Sequence, residues 1–351
     1  MEKFFKNKKV LITGHTGFKG SWLTFWLSKT GANVCGLSKD IPTNPSLYKA
    51  LKLKKRIKDY RIDIKNLESL KRIVIRFKPD YIFHLAAQSL VKRSYTNPVE
   101  TFLTNSIGTC NLLESLKSLK NKCNVVIITS DKSYKNLEIS RGYKETDELG
   151  GYDPYSASKG CAEFIIQSYV KSYFTRKKNI RIGITRAGNV IGGGDWAENR
   201  VVPDCFKSWS KKKSVIIRNP RSTRPWQHVL EVLSGYLTLA KLLNRNKSLH
   251  GEVFNFGPKN SQDKKVIDVI RQIKKNLSSF RWTLKKNNPL QESKLLKLNS
   301  TKAMKKLKWS NKLSFVETLK ITTEWYESFY QKKDMTEVSL SQIRNFEKKY
   351  E

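Results

Sequence analysis

The architecture of this chain is predicted most directly by nine residues: Asn124-Val125-Val126-Ile127-Ile128-Thr129-Ser130-Asp131-Lys132. The β-branched run in their middle is typical of a central parallel strand that is covered on both faces. The run ends in a hydroxyl, a carboxylate and an ammonium, those of Ser130, Asp131 and Lys132. Ligands of open α/β sheets bind beyond the carboxyl ends of such strands. These three side chains are therefore candidate site residues.

A second polar pair follows on a predicted helix that begins at Asp153-Pro154. Tyr155 and Lys159 are spaced i and i+4, so they lie on one helix face. An ammonium close to a phenol favours the phenolate and lowers the pKa of the tyrosine. Tyr155 is therefore a candidate base for removing a proton from an alcohol while a hydride leaves.

A glycine-rich turn near the N-terminus predicts a dinucleotide site. A short strand at residues 9–13 runs into Gly14-His15-Thr16-Gly17-Phe18-Lys19-Gly20 and then into a helical run. Glycines let the backbone approach a pyrophosphate, and a helix N-terminus offers free N–H groups. The spacing is not G-x-G-x-x-G, and the alternative is a tight turn that only packs a helix. The position directly after a strand favours cofactor contacts from Gly14, Thr16, Gly17, Phe18 and Gly20.

Further apolar runs predict the rest of the fold. Strands are expected at residues 33–37, 60–64, 81–88 and 181–185, and they alternate with helices. This alternation predicts an α/β fold with a Rossmann-type doubly wound parallel sheet over residues 1–186. A smaller mixed α/β substrate-binding region is expected at 187–331, followed by a loosely held polar tail at 332–351. His84 lies inside an apolar run and is expected to be a core residue.

The acid that usually binds the adenosine ribose at the end of the second strand is not obvious in this sequence. Asp40 is the nearest candidate, but it comes late and follows Lys39. Asp63 ends the next predicted strand. It could meet the adenine, or it could cap the helix expected from Leu67 onward.

Composition limits the class of protein. The net charge is +38, but the lysines are spread along the chain with many Asn and Ile residues. This pattern favours a biased surface over a specific nucleic-acid site, and it suits an anionic substrate such as a nucleotide diphosphate. No apolar run is long enough to span a bilayer, so a cytoplasmic protein is expected. The five cysteines and four histidines lack the spacing of a disulfide framework or a metal site.

Four arginines cluster in the C-terminal half, in a region of predicted loops around a strand at residues 214–218. They are Arg200, Arg218, Arg221 and Arg224. The guanidinium group binds diphosphates through paired donors, although surface charge is the alternative in so basic a chain.

Together these motifs resemble the extended short-chain dehydrogenase/reductase family, and within it the CDP-glucose 4,6-dehydratases. The narrowest matches are the glycine turn through Leu23, the segment 129–132, the segment 150–156, the triple-glycine segment 186–196 and Arg224-Pro225-Trp226-Gln227-His228-Val229. The resemblance implies an NAD-retaining lyase that converts CDP-glucose to CDP-4-keto-6-deoxyglucose. It also implies a homodimer formed through the helix that carries Tyr155.

The resemblance further implies a role for each site residue. Tyr155, aided by Lys159, would deprotonate the C4 hydroxyl, Ser130 would hydrogen-bond the C4 oxygen, and Asp131 would be the acid at C6. Cofactor contacts are implied for Asp63, Ile64, Ala86, Ala87, Gln88 and Asn105. Substrate contacts are implied for Asn189, Arg200, Arg224 and His228.

Lys132 distinguishes this sequence from related dTDP-glucose dehydratases, in which a glutamate serves as the C5 base. A lysine could act as base only if its surroundings lowered its pKa, or it could stabilise the enolate electrostatically. We expect Lys132 to be needed for elimination and not for the first oxidation.

Other functions compete with this interpretation. A nucleotide-sugar epimerase or a dehydratase for another nucleotide would use the same tyrosine and lysine. An epimerase, however, has no need for an aspartate and a lysine beside Ser130. An NAD-binding regulator or a nucleic-acid binder driven by charge is the alternative outside enzymes, and the intact Tyr155/Lys159 pair argues against it.

Overall fold

The computed structural model describes residues 2–258, 263–285 and 295–350. The strands in chain order are β1 (Lys9–Thr13), β2 (Asn33–Ser38), β3 (Lys58–Arg61), β4 (Tyr81–His84), β5 (Cys123–Ile128), β6 (Ile180–Ala187), β7 (Val190–Ile191), β8 (Val215–Ile217), β9 (Thr223–Pro225), β10 (Gln227–His228), β11 (Val253–Phe256), β12 (Asp263–Lys265) and β13 (Trp282–Leu284).

The α-helices in chain order are α1 (Glu2–Phe5), α2 (Phe18–Lys29), α3 (Leu47–Ala50), α4 (Leu67–Phe77), α5 (Val91–Thr96), α6 (Pro98–Phe102), α7 (Gly108–Lys117), α8 (Pro154–Tyr169), α9 (Val201–Ser210), α10 (Val229–Arg245), α11 (Val266–Asn276), α12 (Thr301–Leu307), α13 (Phe315–Tyr330) and α14 (Met335–Glu347).

One parallel sheet organises the molecule, with the strand order β11-β6-β5-β4-β1-β2-β3. The chain builds β1 to β3 toward one edge and then returns to build β4 to β6 on the other side of β1. This reversal leaves a crevice at the carboxyl ends of β1 and β4, where ligands of doubly wound sheets bind. The predicted Rossmann-type doubly wound sheet is confirmed.

The strand β5 lies inside this sheet, as its sequence predicts. All six of its residues are buried, and it pairs with β4 and with β6. Val125, for example, is in register with Ile82 on one side and with Ile182 on the other. Burial of each such aliphatic side chain contributes about 1.5–3 kcal/mol, so the strand end that carries Ser130 to Lys132 is firmly held.

Helices cover both faces of the sheet. On one face the helices α2 and α10 contribute buried side chains such as Trp22 and Leu233 to the larger apolar cluster. On the other face α4, α7 and α8 contribute side chains such as Leu70, Leu112 and Ile166. Burial on both faces explains why the parallel strands read as continuous apolar runs.

The helix α4 is capped by a residue other than the one considered from sequence. Asn66 is its N-cap, and the Asn66 side chain accepts a hydrogen bond from the backbone N–H of Ser69 at 2.9 Å. Asp63 instead accepts from the backbone N–H of Lys65 at 3.0 Å. The interpretation of Asp63 as a helix cap is therefore wrong, and its carboxylate faces the large cavity described below.

The helix predicted at residues 101–119 runs through α6 and α7, with a π-helical turn at Leu103–Ile107 between them. Such turns widen the helix by one residue and often occur at functional sites. Asn105 lies in this turn and is 2% exposed.

The chain after residue 187 contributes to both parts of the molecule. The strand β11 pairs in parallel with β6 and is an edge strand of the large sheet. The remaining short strands form three small sheets, β7 with β10, β8 with β13, and β9 with β12. The region predicted to bind substrate is thus joined to the cofactor-binding sheet by main-chain hydrogen bonds.

The segment predicted to be a loosely held tail is a packed helix, so that prediction is wrong. Asp334 caps α14, and the side chains of Leu340, Ile343 and Phe346 are buried. Spacings of three residues place them on one apolar stripe that polar composition obscures. The Trp26 indole N–H also donates to the Glu347 carboxylate at 3.1 Å and so ties this helix to α2.

The described ranges contain no membrane-spanning helix, no metal-binding cluster and no disulfide. No helix within them has the length and apolarity that crossing a bilayer requires. The same residues contain no group of three or more His, Cys, Asp or Glu side chains arranged to hold a metal ion. All five cysteines lie in these ranges and are free thiols.

Candidate active site

The glycine turn between β1 and α2 has the geometry of a phosphate cradle. Gly14 has a φ of +75°, and a methyl group there would lie 2.6 Å from the backbone nitrogen of Ala86. A methyl group on Gly20 would overlap the carbonyl oxygen of Gly14. No side chain caps α2 at Gly17. The free N–H groups of its first turn therefore fit a pyrophosphate.

A cavity of about 1670 Å³ opens above the carboxyl ends of the sheet strands. Sites for one small ligand usually measure about 300–1,000 Å³, so this cavity has room for a dinucleotide and a second ligand. Its walls include these predicted site residues: Gly14, Thr16, Gly17, Phe18, Gly20, Asp63, Ile64, Ala86, Ala87, Gln88, Ser130, Asp131, Lys132, Tyr155, Lys159, Asn189, Arg200 and Arg224.

The end of β5 forms a tight turn that groups its polar side chains. The Ser130 hydroxyl donates to Asp131 Oδ1 at 3.0 Å and accepts from the backbone N–H of Lys132 at 3.2 Å. Asp131 Oδ2 is buried and has no hydrogen-bond partner among the described residues. Burial raises the pKa of Asp131, and the charge of Lys132 acts in the opposite direction. A buried carboxyl with a raised pKa is suited to donate a proton.

The helix α8 brings Tyr155 and Lys159 to the same cavity. Asp153 fixes the helix start, because its side chain accepts from the backbone N–H of Ser156 at 2.9 Å. Burial raises the pKa of Tyr155, and hydrogen bonding by Ser130 opposes that rise. The sequence predicts a net lowering of the Tyr155 pKa, and this net direction is wrong because burial dominates.

Lys159 is itself perturbed. Burial, reinforced by the charge of Lys19, lowers its pKa from 10.5 to about 7. A lysine with this pKa is about half protonated at neutral pH, so it stabilises a phenolate less than a fully charged lysine does.

Lys19 is a site residue that sequence reasoning missed. It follows Phe18 in the first turn of α2 and lines the cavity. Burial and the charge of Arg200 lower the pKa of Lys19 to about 8, and the carboxylates of Asp131 and Asp195 oppose that shift. The sequence did contain a signal for this residue. Lys19 lies within the glycine turn, at a position where a turn that only packs a helix would carry an apolar residue.

Arg200 joins the two parts of the cavity wall. Its guanidinium donates to Asp195 at 2.9 Å and to the Ser89 hydroxyl at 3.3 Å. Arg218 and Arg224 also line the cavity, whereas Arg221 does not. Asp195 was not predicted as a site residue, although it lies in the segment 186–196 directly after its three glycines.

Asn105 lies behind the cavity wall and not on it. Its side-chain amide accepts from the backbone N–H of Gln88 at 2.8 Å and donates to the Gln88 carbonyl at 3.0 Å. It also donates to the Ser158 hydroxyl at 2.9 Å. The structure does not support a direct cofactor contact for Asn105, because these bonds occupy its side chain in holding Gln88 and α8.

His228 is also withdrawn from the cavity, so the structure does not support its predicted substrate contact. The side chain is fully buried and caps α10, with Nδ1 accepting from the backbone N–H of Leu230 at 3.3 Å. Arg224 and Trp226 line the cavity. The alternation of side chains along the strand places Arg224 and Trp226 on the cavity side. This alternation ends at the start of α10, so it does not place His228 there. Burial lowers the pKa of His228 to about 3.

His84 is a core residue, as predicted. Its ring nitrogens lie 2.7 Å from the Thr13 hydroxyl and 3.1 Å from the Thr109 hydroxyl. Burial lowers the pKa of His84 to about 3, so it is neutral at neutral pH.

The end of β2 carries Ser38 and no acid. The Ser38 hydroxyl lies 3.0 Å from His15 Nδ1, and His15 Nε2 lies 2.9 Å from an oxygen of Asp59. At this edge the carboxylates of Asp40, Asp63 and Glu100 line the cavity, and Asp63 and Glu100 share ion pairs with Lys39 and Lys65. The structure thus keeps both acids that the sequence offered near the adenosine end.

Comparison with known proteins agrees with this geometry. The family model described as GDP-mannose 4,6 dehydratase matches residues 11–322. The chain is 42% identical to a CDP-glucose 4,6-dehydratase of Salmonella typhimurium, over 98% of both chains. It is 30% identical to a dTDP-D-glucose 4,6-dehydratase of Dictyostelium discoideum, over 71% of this chain and 58% of that protein.

Solved structures share the fold. An epimerase of Methanothermobacter thermautotrophicus matches with a TM-score of 0.82 and 25% identity, over 94% of this chain and 96% of that one. A dTDP-glucose 4,6-dehydratase of Bacillus anthracis, solved in complex with NAD, matches with a TM-score of 0.76 and 22% identity, over 94% and 99%. The predicted resemblance to nucleotide-sugar dehydratases is confirmed. The chain belongs to the GDP-mannose 4,6 dehydratase family.

Proposed function

We propose that this protein is an NAD-retaining lyase that converts CDP-glucose to CDP-4-keto-6-deoxyglucose. One observation carries the proposal. An aspartate–lysine pair at the end of β5, Asp131 and Lys132, lines the same cavity as Tyr155 and Lys159. The tyrosine and its lysine serve an oxidation, and the other pair serves the loss of water. CDP-glucose is the substrate named for the relative that is 42% identical.

The oxidation half of the reaction uses α8 and the turn that follows β5, Ser130 to Lys132, which we call the β5 turn. Tyr155 takes the proton of the C4 hydroxyl, and Ser130 holds the C4 oxygen by a hydrogen bond. A bound NAD, held at the glycine turn and beside Ala86 and Gln88 on the cavity wall, would supply the redox chemistry as acceptor and then donor of the hydride. The pKa of Tyr155 is raised by burial, so a protonated Lys159 beside the phenol would favour the phenolate that this step needs.

The elimination half uses Asp131 and Lys132. The new C4 ketone acidifies the C5 proton, which passes either to a neutral Lys132 or, where a charged Lys132 stabilises the enolate, to water. C5 regains a proton when the hydride returns to C6. Asp131 gives its proton to the C6 hydroxyl, which leaves as water. Burial favours the protonated form of Asp131, and this is the form that the step requires.

The substrate diphosphate is held where Arg200 and Arg224 line the cavity. Arg224 contributes paired donors there, with Arg200 fixed nearby by its ion pair with Asp195. Asn189 lines the same cavity. The cation-rich wall fits a nucleotide diphosphate better than it fits a neutral sugar.

A substrate panel tests the proposal. CDP-glucose, dTDP-glucose and GDP-mannose are offered separately, and the 4-keto-6-deoxy product is quantified for each. We expect CDP-glucose to be turned over preferentially and Tyr155→Phe to abolish turnover. Preference for another nucleotide would overturn the base specificity alone. Turnover of none of them by protein that retains bound NAD would overturn the dehydratase function.

We also propose a homodimer formed through α8 and the neighbouring helix. Val99, Leu103 and Ile107 are spaced by four residues, and they are 70%, 40% and 44% exposed. Phe164 on α8 is 58% exposed. An apolar row of this kind on adjacent helices is suited to pack against a second copy of itself.

Sedimentation analysis tests the dimer. We expect the protein to sediment as a dimer or a higher even-numbered assembly, and Phe164→Glu to release monomers. Val316→Glu is the matched control, because Val316 is 52% exposed on the distant helix α13. A monomeric protein, or a Phe164→Glu variant with unchanged sedimentation, would refute this interface.

A further inference from the structure

A buried ion pair lies directly behind the candidate active site. Arg186 at the end of β6 donates from Nε to Glu163 Oε1 at 2.8 Å and from Nη2 to Oε2 at 2.9 Å. The two side chains are 1% and 0% exposed. A bidentate arginine–carboxylate pair fixes direction as well as distance. Neither residue touches the cavity wall.

The pair is bonded to the strand that carries the elimination residues. Thr129 is the last residue before Ser130, and its hydroxyl donates to Glu163 Oε1 at 2.6 Å. Glu163 is also one helical turn beyond Lys159 on α8. One carboxylate therefore contacts the base of the β5 turn while its helix carries the oxidation residues.

Arg186 extends the same connection to the segment that follows Lys132. Its guanidinium carbon lies 4.5 Å from the centre of the Tyr134 ring, in cation–π geometry. Its Nη1 donates to the carbonyl of Glu145 at 3.3 Å. The Tyr134 hydroxyl is anchored in turn to Asn255 on β11 at 2.9 Å. The β5 turn is thus held on both sides, through Thr129 before it and through Tyr134 after it.

The charge of Glu163 also reaches Lys159. It favours the protonated lysine and so opposes the lowering of the pKa of Lys159 by burial and by Lys19 from α2. His84 on β4 also faces this lysine but is neutral at neutral pH. Glu163 is therefore the anion that counters Lys19 at this position.

We infer that Arg186 and Glu163 are positioning residues whose buried ion pair locks the oxidation residues of α8 to the elimination residues of the β5 turn. The inference deepens the proposed function, because it rests on the roles assigned to both groups. One enzyme must carry out oxidation and elimination on a single bound sugar, so the two groups need one fixed spacing. Displacement of reacting groups by about 1 Å can slow a reaction by about 100-fold.

Three substitutions separate positioning from general stability. Arg186→Lys keeps the charge but loses the bidentate geometry. Glu163→Gln keeps the shape and removes the charge. Arg181→Lys is the matched control on the same strand, where Arg181 donates to the carbonyls of Leu243 and Asn244 at 2.7 and 3.0 Å, far from the cavity.

For Arg186→Lys we expect kcat with CDP-glucose to fall about 100-fold while KM stays unchanged. For Glu163→Gln we expect the decline of kcat at rising pH to move to lower pH, because loss of the anion lowers the pKa of Lys159 further. Arg181→Lys should retain the wild-type kcat and pH profile. Thr129→Val removes only one donor to Glu163 and serves if the other variants do not fold, with an expected loss of about tenfold.

Wild-type kcat and pH profile in all of these variants would overturn the inference. So would equal losses in Arg186→Lys and Arg181→Lys that follow their melting temperatures. A crystal structure of Arg186→Lys decides the point without turnover: a shift of α8 against residues 130–132 supports the inference, and an unchanged arrangement overturns it. Failure of the wild-type protein in the substrate panel would instead refute the proposed function.

Discussion

Replacing Lys159 with methionine should stabilise the protein while abolishing its activity. The lysine is 6% exposed, and burial with the charge of Lys19 lowers its pKa from 10.5 to about 7. A lysine whose pKa is lower in the folded state than in the unfolded state destabilises the fold wherever it must be charged. Methionine keeps the aliphatic length and removes the charge. The site residue is thus predicted to oppose folding.

The size of this effect depends on pH. A shift from 10.5 to about 7, at about 1.4 kcal/mol per pKa unit, corresponds to a penalty of about 5 kcal/mol. The full penalty applies below the folded pKa, declines as pH rises between the two values, and vanishes above the unfolded pKa. Lys159→Met should therefore gain about 5 kcal/mol near pH 6 and about 2 kcal/mol near pH 9.

Denaturant unfolding of the cofactor-free protein at these two pH values measures the gain. Lys120→Met is the control, because Lys120 is an exposed residue after α7 and its loss should leave stability unchanged. A Lys159→Met variant no more stable than the wild type near pH 6 would refute the reasoning. An equal gain at both pH values would show that packing, and not charge burial, is responsible.

Three further outcomes are expected. Gly20→Ala should lose about 1–3 kcal/mol of stability and bind NAD at least about tenfold more weakly by calorimetry, because its methyl group overlaps the Gly14 carbonyl. The control Gly160→Ala should retain affinity, because its methyl group meets only ordinary contacts at 3.7 Å or more. Equal NAD affinities of the two variants would contradict the phosphate cradle. Lys132→Ala should lower product formation about 100-fold or more while reduced nicotinamide still accumulates on mixing with CDP-glucose; full dehydration would remove Lys132 from the mechanism. Glu231→Gln should be more stable than the wild type above pH 7, by up to about 3 kcal/mol. Burial raises the pKa of Glu231 from 4.5 to about 7, so the wild-type folded state loses stability as pH rises between these values. Unchanged melting temperatures near pH 8 would contradict this.

The sequence predicts those parts of the site in which a short motif determines its own geometry. The apolar run before Ser130 specifies a buried strand, and the glycine turn is completed within a few residues by the start of α2. Tyr155 and Lys159 share a helix, so their spacing alone brings them together. Each of these features needs only local information, and the structure brings all of them to one cavity.

The features that the sequence missed depend on tertiary surroundings. The pKa of Tyr155 is set by burial, which no local pattern reveals. The sequence predicts that His228 contacts substrate in the cavity. In the structure its ring instead caps the start of α10. Asn105 is drawn behind the wall by the backbone of Gln88, a distant segment of the chain.

Pairing between separate elements is equally hidden. Arg186 and Glu163 come from β6 and α8, and either one alone resembles any charged residue of a basic chain. The packing of the C-terminal helix α14 was missed for a similar reason. Its apolar stripe can be recognised as a buried face only together with α2, whose Trp26 donates to Glu347 of α14.

Under the proposed function, one bound NAD would accept a hydride from C4 and return it to C6 of the same sugar, with loss of water between the two steps. CDP-glucose carrying deuterium at C4 tests this most directly, with the position of the label in the product read by NMR. We expect the deuterium in the C6 methyl group of a 4-keto-6-deoxy product. Deuterium retained at C4 of a hexose product, as an epimerase would leave it, or lost to solvent would contradict the claim.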